Sequence, residues 1–425
     1  MPRWNDSRET RCADRIDIMS VIHGAKLAIE GGAPIRTEPF APWPYFAADD
    51  IEAATRTLES GRVNYWTGEE GRAFEKEFAK YSGARYAVAV ANGTVALELA
   101  LHALGIGPGD EVITASRTFI ASASCVVMRG AIPVLADVDP VSQNITAQTI
   151  RTKLSKRTKA IVAVHLAGWP CDMDPILELA REYGIAVIED CAQAHGAAYK
   201  GRPVGSLADV GAFSFCQDKI MTTGGEGGML TTNSEEIWQK AWAFKDHGKS
   251  WDAVYNRRHP PGFRWVHESF GTNWRLTEMQ SAIGRVQLGK LNEWVTIRQR
   301  NAGMLTKRFT NARALWVASP PPEIQHSYYK YYAFLKPDRM KQEWSRDRIA
   351  EAINAEGVPC FSGSCSEIYL ENAFVKSGLY DGRRLTVARE LGETSLMFVV
   401  HPTLSESDMD DTSAAVEKVL EIAAR

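Results

Sequence analysis

The chain lacks the sequence features of a metal-binding, membrane-spanning or nucleic-acid-binding protein. None of its seven cysteines forms a CxxC or a Cys/His pair with the spacing of a structural zinc site. No apolar stretch is long enough to cross a bilayer. The 49 basic and 52 acidic residues nearly cancel, so the charge balance gives no reason to expect nucleic acid or a membrane surface as a partner. We therefore predict no metal site, no nucleic-acid partner and no membrane association.

The N-terminal residues also lack the apolar core of a secretion signal. The stretch MPRWNDSRETRCADRID (1–17) is polar. We expect a flexible extension over residues 1–22, and Met19 is an alternative start of the natural chain. An odd number of cysteines without a secretion signal is typical of a reducing compartment, and we therefore expect a cytoplasmic protein.

Short apolar runs alternate with helix-like segments between about residues 65 and 235. The runs are YAVAV (86–90), EVIT (111–114), IPVLADV (132–138), AIVAVHL (160–166), GIAVIED (184–190), VGAFSF (210–215) and GGMLTT (227–232). Alternation at this spacing predicts an α/β fold whose mostly parallel, mixed sheet is flanked by helices. Such sheets bind ligands beyond the carboxyl ends of their strands, so the residues that follow each run are the candidates for a site.

The rest of the chain predicts a second unit. A capping box at Thr277–Gln280 indicates the start of a long helix that ends near residue 310. This helix leads to the segment YYKYYAFL (328–335) and to a C-terminal helix from Asp408 onward. The length of 425 residues allows more than one domain. We predict a large domain over residues 23–290 and a smaller C-terminal α+β domain over residues 291–425.

Three of the runs are followed by residues that suit a flat, phosphorylated ligand. After YAVAV, Gly93 and Thr94 open a helix whose backbone N–H groups suit a phosphate, although Asn-Gly-Thr is also an ordinary turn and helix cap. After EVIT, Phe119 either stacks on a planar ring or packs in the core. After GIAVIE, Asp190 either keeps a pyridine nitrogen protonated or caps a helix. Gln193 either donates to a ring oxygen or ties a loop. His195 and His165 have similar positions, and we expect supporting or structural roles for them rather than proton transfer. His195 is also a candidate contact to the substrate.

The stretch GAFSFCQDKIMTTGGEGGML (211–230) contains one lysine, Lys219, between an apolar segment and a glycine-rich run. A lysine amine can bond covalently to an aldehyde, Ser214 adds a hydroxyl for a phosphate, and the glycines let the backbone pass close to a bulky ligand. The alternative is a flexible hairpin with a solvated lysine. Taken together, a phosphate loop, an aromatic ring, an acid, a glutamine and an amine follow the strands of one sheet. This is the set of groups needed to hold pyridoxal phosphate.

The chain resembles the DegT/StrS-type sugar aminotransferases, which are fold-type I pyridoxal-phosphate enzymes. The resemblance covers roughly residues 40–415. It is carried by the segment 189–229 and by NGT (92–94), RTFIAS (117–122), VHLAGWPCDMDPI (164–176), GTNWRLTEMQSAIG (271–284) and HPTLSESDMD (401–410). The chain departs from the family pattern at Asn92, where serine is commoner, at the segment CQD (216–218), and in one additional glycine in TTGGEGGM.

The resemblance implies a role for individual residues. Lys219 matches the Schiff-base lysine, and Asp190 matches the partner of the pyridine nitrogen. The resemblance implies further cofactor contacts from Gln193 to the ring hydroxyl, from Phe119 to the ring face, and from Gly93, Thr94 and Ser214 to the phosphate. It implies that Asn273 reaches the phosphate in the neighbouring subunit across a dimer interface. Arg275 is associated with the carboxylate of the amino donor. The resemblance therefore also implies a homodimer with shared active sites.

The implied reaction is a two-stage amino transfer from glutamate or glutamine to a keto-sugar, passing through pyridoxamine phosphate. The product is an amino-sugar for lipopolysaccharide or another cell-surface glycan. The keto-sugar is either a nucleotide-linked 3- or 4-keto-hexose or a sugar without a nucleotide, such as an inosose or an 8-keto octulosonate. A sugar dehydratase of the same family is less favoured, because those members replace the lysine that is present here as Lys219. A non-catalytic regulator is less favoured because Lys219, Asp190 and Gln193 are all present.

The segment 247–271 is long, basic and aromatic, and includes Arg257 and Arg258. This composition indicates either that the segment contacts an anionic group of the sugar, or that it is a solvated loop at an interface.

Overall fold

A seven-stranded sheet organises the larger part of the fold. The computed structural model describes residues 26–425, so the predicted extension over residues 1–22 and the alternative start at Met19 lie outside the described residues. The strands are β1 Tyr86–Val90, β2 Glu111–Ala115, β3 Ile132–Ala136, β4 Thr158–Val164, β5 Ala186–Asp190, β6 Val210–Ser214 and β7 Gly228–Thr232. Their order is β1-β7-β6-β5-β4-β2-β3. All seven predicted strands are confirmed.

The sheet is mixed because one strand runs against the others. β7 pairs antiparallel with β1 and with β6, whereas β2, β3, β4, β5 and β6 form parallel pairs. The strands are buried along most of their length, as expected for parallel strands that helices cover on both faces. The carboxyl ends of β1 and of the parallel strands therefore lie at the same edge.

Helices cover both faces of this sheet. They are α1 Ala48–Glu59, α2 Glu70–Ser82, α3 Gly93–Ala103, α4 Ala121–Met128, α5 Ala147–Arg151, α6 Met173–Tyr183, α7 Glu235–Lys245, α8 Trp251–Tyr255 and α9 Glu278–Phe309. Successive residues of a strand face opposite sides. Ser214 of β6 approaches Gly93 of α3, whereas the neighbouring Phe213 and Phe215 pack on Phe78 of α2. Helices α2 and α3 thus lie on opposite faces.

A smaller antiparallel sheet follows α9. Its strands are β8 Leu315–Trp316, β9 Tyr331–Leu335, β10 Cys360–Phe361 and β11 Ser395–Phe398, in the order β8-β9-β11-β10. The helices of this part are α10 Arg346–Ala355, α11 Asn372–Ser377, α12 Thr386–Thr394 and α13 Glu406–Ala423. A third sheet joins Ala198–Tyr199, Arg202–Pro203 and Ile324–Gln325. No helix within residues 26–425 has both the length and the apolar composition needed to cross a membrane.

Helix α9 connects the two main parts. Its N-terminal half packs Leu291 and Trp294 into the cluster around Phe213, and its C-terminal half packs Leu305 into a second cluster with the small sheet. The predicted boundary after residue 290 falls inside this helix, and Leu27, assigned above to the large domain, lies in the second cluster. The domain limits stay a prediction.

The predicted capping box at the start of α9 is confirmed. Thr277 Oγ1 accepts from Gln280 N (3.3 Å), and Gln280 Oε1 accepts from Thr277 N (3.2 Å). The adjacent Glu278 is buried and accepts from Glu70 N (2.6 Å) and Gly71 N (3.0 Å) at the start of α2. A carboxylate at a helix N-terminus satisfies free N–H groups and complements the helix dipole. One side chain thus fixes the relative position of two helices.

Replacing Glu278 with alanine is expected to lower the free energy of unfolding by about 2 kcal/mol, because two N–H groups lose their acceptor. Urea unfolding followed by circular dichroism measures the change. Glu293→Ala is the matched control, since Glu293 is an exposed residue of the same helix. Equal stability of the two variants would show that the Glu278 contacts contribute nothing measurable.

Candidate active site

The start of α3 presents free backbone donors at the carboxyl edge of the sheet. The first hydrogen bond within the helix runs from Ala96 N to Asn92 O (3.1 Å), so the N–H groups of Gly93 and Thr94 have no partner inside the helix. Asn92 Oδ1 accepts from Val95 N (3.0 Å). Asn92 is therefore a helix cap, and the cap leaves two N–H groups for an anion such as a phosphate.

The same helix start lies unusually close to β6 and β7. A Cβ atom on Gly93 would lie 2.5 Å from Ser214 Cβ and 3.0 Å from its Oγ. A Cβ atom on Gly228 would lie 2.3 Å from Asn92 O. Only glycine allows both approaches. The Ser214 hydroxyl is thereby brought beside the free N–H groups of α3, as the prediction of a phosphate site requires.

Asp190 is a buried acid without a cation. Its Oδ2 accepts from Ser122 Oγ (2.7 Å) and its Oδ1 from Ala192 N (3.1 Å), and within residues 26–425 it forms no ion pair. Burial raises the pKa of Asp190, although these hydrogen bonds and the charge of Lys219 oppose the rise. No helix begins in the seven residues that follow, so the alternative role as a helix cap is wrong. A buried carboxylate of this kind fits a protonated ring nitrogen.

Two further predicted contacts have a definite geometry. Gln193 Oε1 accepts from Ala167 N (2.8 Å), which fixes the amide and leaves Nε2 as a donor. Phe119 is 66% exposed, so the alternative that it packs in the core is wrong, and its ring is free to cover a ligand.

Lys219 is not a solvated lysine. Its side chain is only 16% exposed, which rules out the alternative drawn from the sequence. Nζ lies 3.4 Å from Asp218 Oδ1 and 3.4 Å from Tyr329 Oη, and the Tyr329 hydroxyl donates to Asp218 Oδ2. Trp43 Nε1 donates to Lys219 O (2.8 Å) and holds the backbone. Asp218 and Tyr329 were not predicted as site residues from the sequence, although Asp218 precedes the lysine directly.

The two histidines differ in their surroundings. The His195 ring packs 5.5 Å from Phe213 and 5.7 Å from Phe215, which face away from the side of Ser214. Burial and the nearby charge of Lys219 lower the pKa of His195 to about 3, so the ring is neutral. The structure does not bring His195 to the face that carries Ser214, and its predicted contact with the substrate stays a prediction.

His165 lies in a buried group with Glu189 and Cys191 whose possible ligand atoms come within 4.8 Å of one another. His165 Nδ1 accepts from Cys171 N (3.0 Å), and Nε2 lies 3.1 Å from Glu189 Oε2. Both ring nitrogens are engaged, which fixes the tautomer with the proton on Nε2. This arrangement supports the structural role expected for His165, and the absence of a metal site stays a prediction.

Arg275, which the resemblance associates with the amino donor, is paired inside the chain. Its Nη1 lies 2.6 Å from Oδ1 of the buried Asp246, which also lies 2.8 Å from Lys249 Nζ. Arg275 forms a β-bridge with Val90, next to the start of α3, and the exposed Asn273 forms one with Asp246. Arg275 is therefore close to the predicted phosphate site but already has an acid as partner.

The basic and aromatic segment 247–271 lies largely at the surface. Arg257 pairs with Asp252 (2.6 Å) and with Glu268 of the same segment, whereas Arg258 is exposed. Phe270 is 100% and Trp265 84% exposed. Exposed aromatic residues at this density indicate an interaction surface.

Comparisons with known proteins show the family to which the chain belongs. A profile of the DegT/DnrJ/EryC1/StrS aminotransferase family matches residues 44–417. The crystal structure of an aminotransferase from Psychrobacter cryohalolentis is 55% identical and covers 91% of this chain and 100% of that chain, with a TM-score of 0.89. A GDP-perosamine synthase of Caulobacter vibrioides is 38% identical over 84% of this chain and 92% of its own length. An L-glutamine:2-deoxy-scyllo-inosose aminotransferase of Streptoalloteichus tenebrarius is 35% identical over 93% and 97%.

These findings confirm the resemblance, the fold class and the cofactor that the sequence predicts. The family match covers most of the chain, and the alignments with the two relatives cover nearly the whole length of each relative. The chain therefore belongs to the DegT/DnrJ/EryC1/StrS aminotransferase family, and it is a sugar aminotransferase that uses pyridoxal phosphate.

Proposed function

We propose that this aminotransferase moves an amino group from glutamate or glutamine to a nucleotide-linked 3- or 4-keto-hexose, and that the amino-sugar enters lipopolysaccharide or another cell-surface glycan. The observation that carries the proposal is a largely buried Lys219 side chain at the carboxyl edge that also holds the buried acid Asp190. The similarity to a GDP-perosamine synthase supports a nucleotide-linked sugar. The similarity to an inosose aminotransferase supports the second candidate, a sugar without a nucleotide.

The residues present fit the cofactor. The free N–H groups of Gly93 and Thr94 and the Ser214 hydroxyl would bind its phosphate. Asp190 would keep its ring nitrogen protonated, which would in turn give that buried carboxylate the cation it lacks. Phe119 would cover the ring, and Gln193 Nε2 would donate to the ring hydroxyl. When bound, pyridoxal phosphate supplies an electron sink for the carbon from which a proton is removed.

Lys219 has two roles in this proposal. It would hold the cofactor covalently and, once released, its amine would take a proton from one carbon and return it to another. Asp218 and Tyr329 both have an oxygen 3.4 Å from Nζ, and these oxygens would accept hydrogen bonds from the released amine. Because the product of the amino donor leaves before the keto-sugar binds, the two stages of the reaction take place in turn at a single site.

A homodimer with shared sites belongs to the same proposal. Asn273 is exposed and lies two residues before Arg275, which forms a β-bridge with Val90 near the start of α3. From there Asn273 would reach the phosphate site of a second copy. The exposed Trp265 and Phe270 offer apolar surface for that contact. A cytoplasmic location is likewise proposed, because the six cysteines within residues 26–425 are all free.

Replacing Gly93 with alanine is expected to weaken cofactor binding about tenfold or more, because the added Cβ would collide with Ser214 and distort the phosphate site. The dissociation constant follows from titrating the apoprotein with pyridoxal phosphate and recording the absorbance. Gly107→Ala is the control, since a Cβ there has open space. Unchanged affinity for pyridoxal phosphate in Gly93→Ala would show that the phosphate does not bind at the start of α3.

Replacing Asp190 with asparagine is expected to reduce kcat by about 10²-fold or more, since an amide cannot keep the ring nitrogen protonated. The thermal midpoint should stay within a few degrees of the wild type, which separates catalysis from folding. Asp338→Asn, at an exposed acid, provides the comparison. A wild-type rate in Asp190→Asn would mean that this acid has only a structural role.

Initial rates with varied donor and acceptor test the reaction itself. We expect parallel lines in double-reciprocal plots, because the first product leaves before the second substrate binds. Nucleotide-linked 3- and 4-keto-hexoses, an inosose and an 8-keto octulosonate serve as acceptors, each with glutamate and with glutamine. Amination of none of these sugars, or lines that intersect, would contradict the proposal.

A further inference from the structure

Three cations share a single acid around Lys219. Lys219 Nζ lies 4.9 Å from the centre of the Tyr329 ring, and Lys330 Nζ lies 4.7 Å from the same centre. The buried Arg298 donates from Nη1 to the backbone oxygen of Tyr329 (3.2 Å). Asp218 contacts Lys219 through one carboxylate oxygen and accepts from Tyr329 with the other. One negative charge thus stands among three positive charges.

Lys330 is the cation without an acceptor. Within residues 26–425 no carboxylate lies within ion-pair distance of its Nζ, and the Tyr329 ring is the contact that the ammonium group makes. Lys219 by contrast has Asp218, and Arg298 donates to backbone carbonyls. A largely buried ammonium group without a counter-charge is unfavourable, and a bound anion would remove that cost.

The groups that face Lys330 come from several elements. Asp218 and Lys219 follow β6, Arg298 belongs to α9, and His401 follows β11. Burial and the nearby Arg298 and Lys330 lower the pKa of His401 to about 3, so this ring is neutral. Burial and Asp218 raise the pKa of Tyr329, whose hydroxyl is therefore also neutral. Among the described residues that face Lys330, only Asp218 offers a negative charge, and its two oxygens are already engaged.

Two of the other basic residues considered for an anion already have acids as partners, and a third, Arg258, is exposed to solvent rather than buried. Arg275 is paired with Asp246, and Arg257 with Asp252 and Glu268. Unlike Arg275 and Arg257, Lys330 has no acid within ion-pair distance among the described residues, and it lies against the same tyrosine ring as the catalytic amine. A substrate whose reacting atom lies at Lys219 can therefore place a charged group, carried elsewhere on the substrate, against Lys330.

We propose that Lys330 binds an anionic oxygen group of a substrate, a carboxylate or a phosphate, and so selects substrates that carry such a group beside the reacting atom. The inference rests on the proposed function in that the ligand is taken to be a substrate of Lys219. Burial lowers the pKa of Lys330 to about 8, with Arg298 and Lys219 adding to the effect and Asp218 opposing it. The anion should therefore bind more weakly as the pH rises through about 8, because the ammonium group loses its proton.

The test uses the holoenzyme and two unreactive anions, glutarate for a carboxylate and inorganic pyrophosphate for a phosphate. Titration calorimetry gives the dissociation constants of the wild type, Lys330→Met and Lys330→Arg at about pH 7 and about pH 9.5. Lys336→Met is the matched control, because Lys336 lies at the opposite end of β9 from Lys330.

We expect Lys330→Met to weaken the binding of one of the two anions about tenfold at neutral pH, and Lys336→Met to change it less than about twofold. The anion affected identifies the group as carboxylate or phosphate. Lys330→Arg should keep its affinity at the higher pH, where the wild type loses it, because a guanidinium group stays charged. This comparison also covers the case in which Lys330→Met fails to fold.

The inference is wrong if the affinity for neither anion depends on Lys330. It is also wrong if Lys330→Arg loses affinity for the anion at the higher pH as the wild type does. Its failure is distinguishable from failure of the proposed function. A wild type that aminates keto-sugars while Lys330→Met binds both anions normally contradicts only the role of Lys330. A wild type that binds an anion through Lys330 but aminates no sugar contradicts only the proposed substrate.

Discussion

Parallel pairing of β5 with β6 holds together the groups on which the proposed chemistry depends. Asp190 pairs with Ala212, so it lies on the same face as Ser214, two residues farther along β6. A slip of one residue would turn Asp190 toward the opposite face, where Phe213 and Phe215 pack. The register of two strands therefore decides whether the sheet presents an acid and a hydroxyl to the same ligand.

Electrostatic balance in the site is incomplete without its ligands. Asp190 is a buried acid whose partners are a hydroxyl and an N–H group rather than a cation. Near Lys219 the imbalance is the reverse, because the cations Lys219, Lys330 and Arg298 have Asp218 as their common acid. A cationic ring nitrogen and an anionic oxygen group are the complements of these two imbalances. The folded chain thus holds charges whose counter-charges would come from a cofactor and a substrate.

The sheet and the position of the candidate lysine were predictable because their signals are local. A buried parallel strand is an apolar run bounded by turns, and polar residues after such strands gather at one edge, which is how Asp190 and Lys219 were found. The contact between Asp218 and Tyr329 was not predictable, because 111 residues separate them and no periodic pattern relates a loop to a distant strand. The pairing of Arg275 with Asp246 was missed for the same reason, and the resemblance alone assigned Arg275 to a ligand.

Identifying the lysine that carries the cofactor tests the central claim most directly. Reduction of the holoenzyme with borohydride fixes a covalently held cofactor on its lysine, and mass spectrometry of the peptides then locates the added pyridoxyl group. The account predicts this group on Lys219, in the peptide that also contains Asp218. A pyridoxyl group on another lysine, such as the nearby Lys330, or on none, would contradict it.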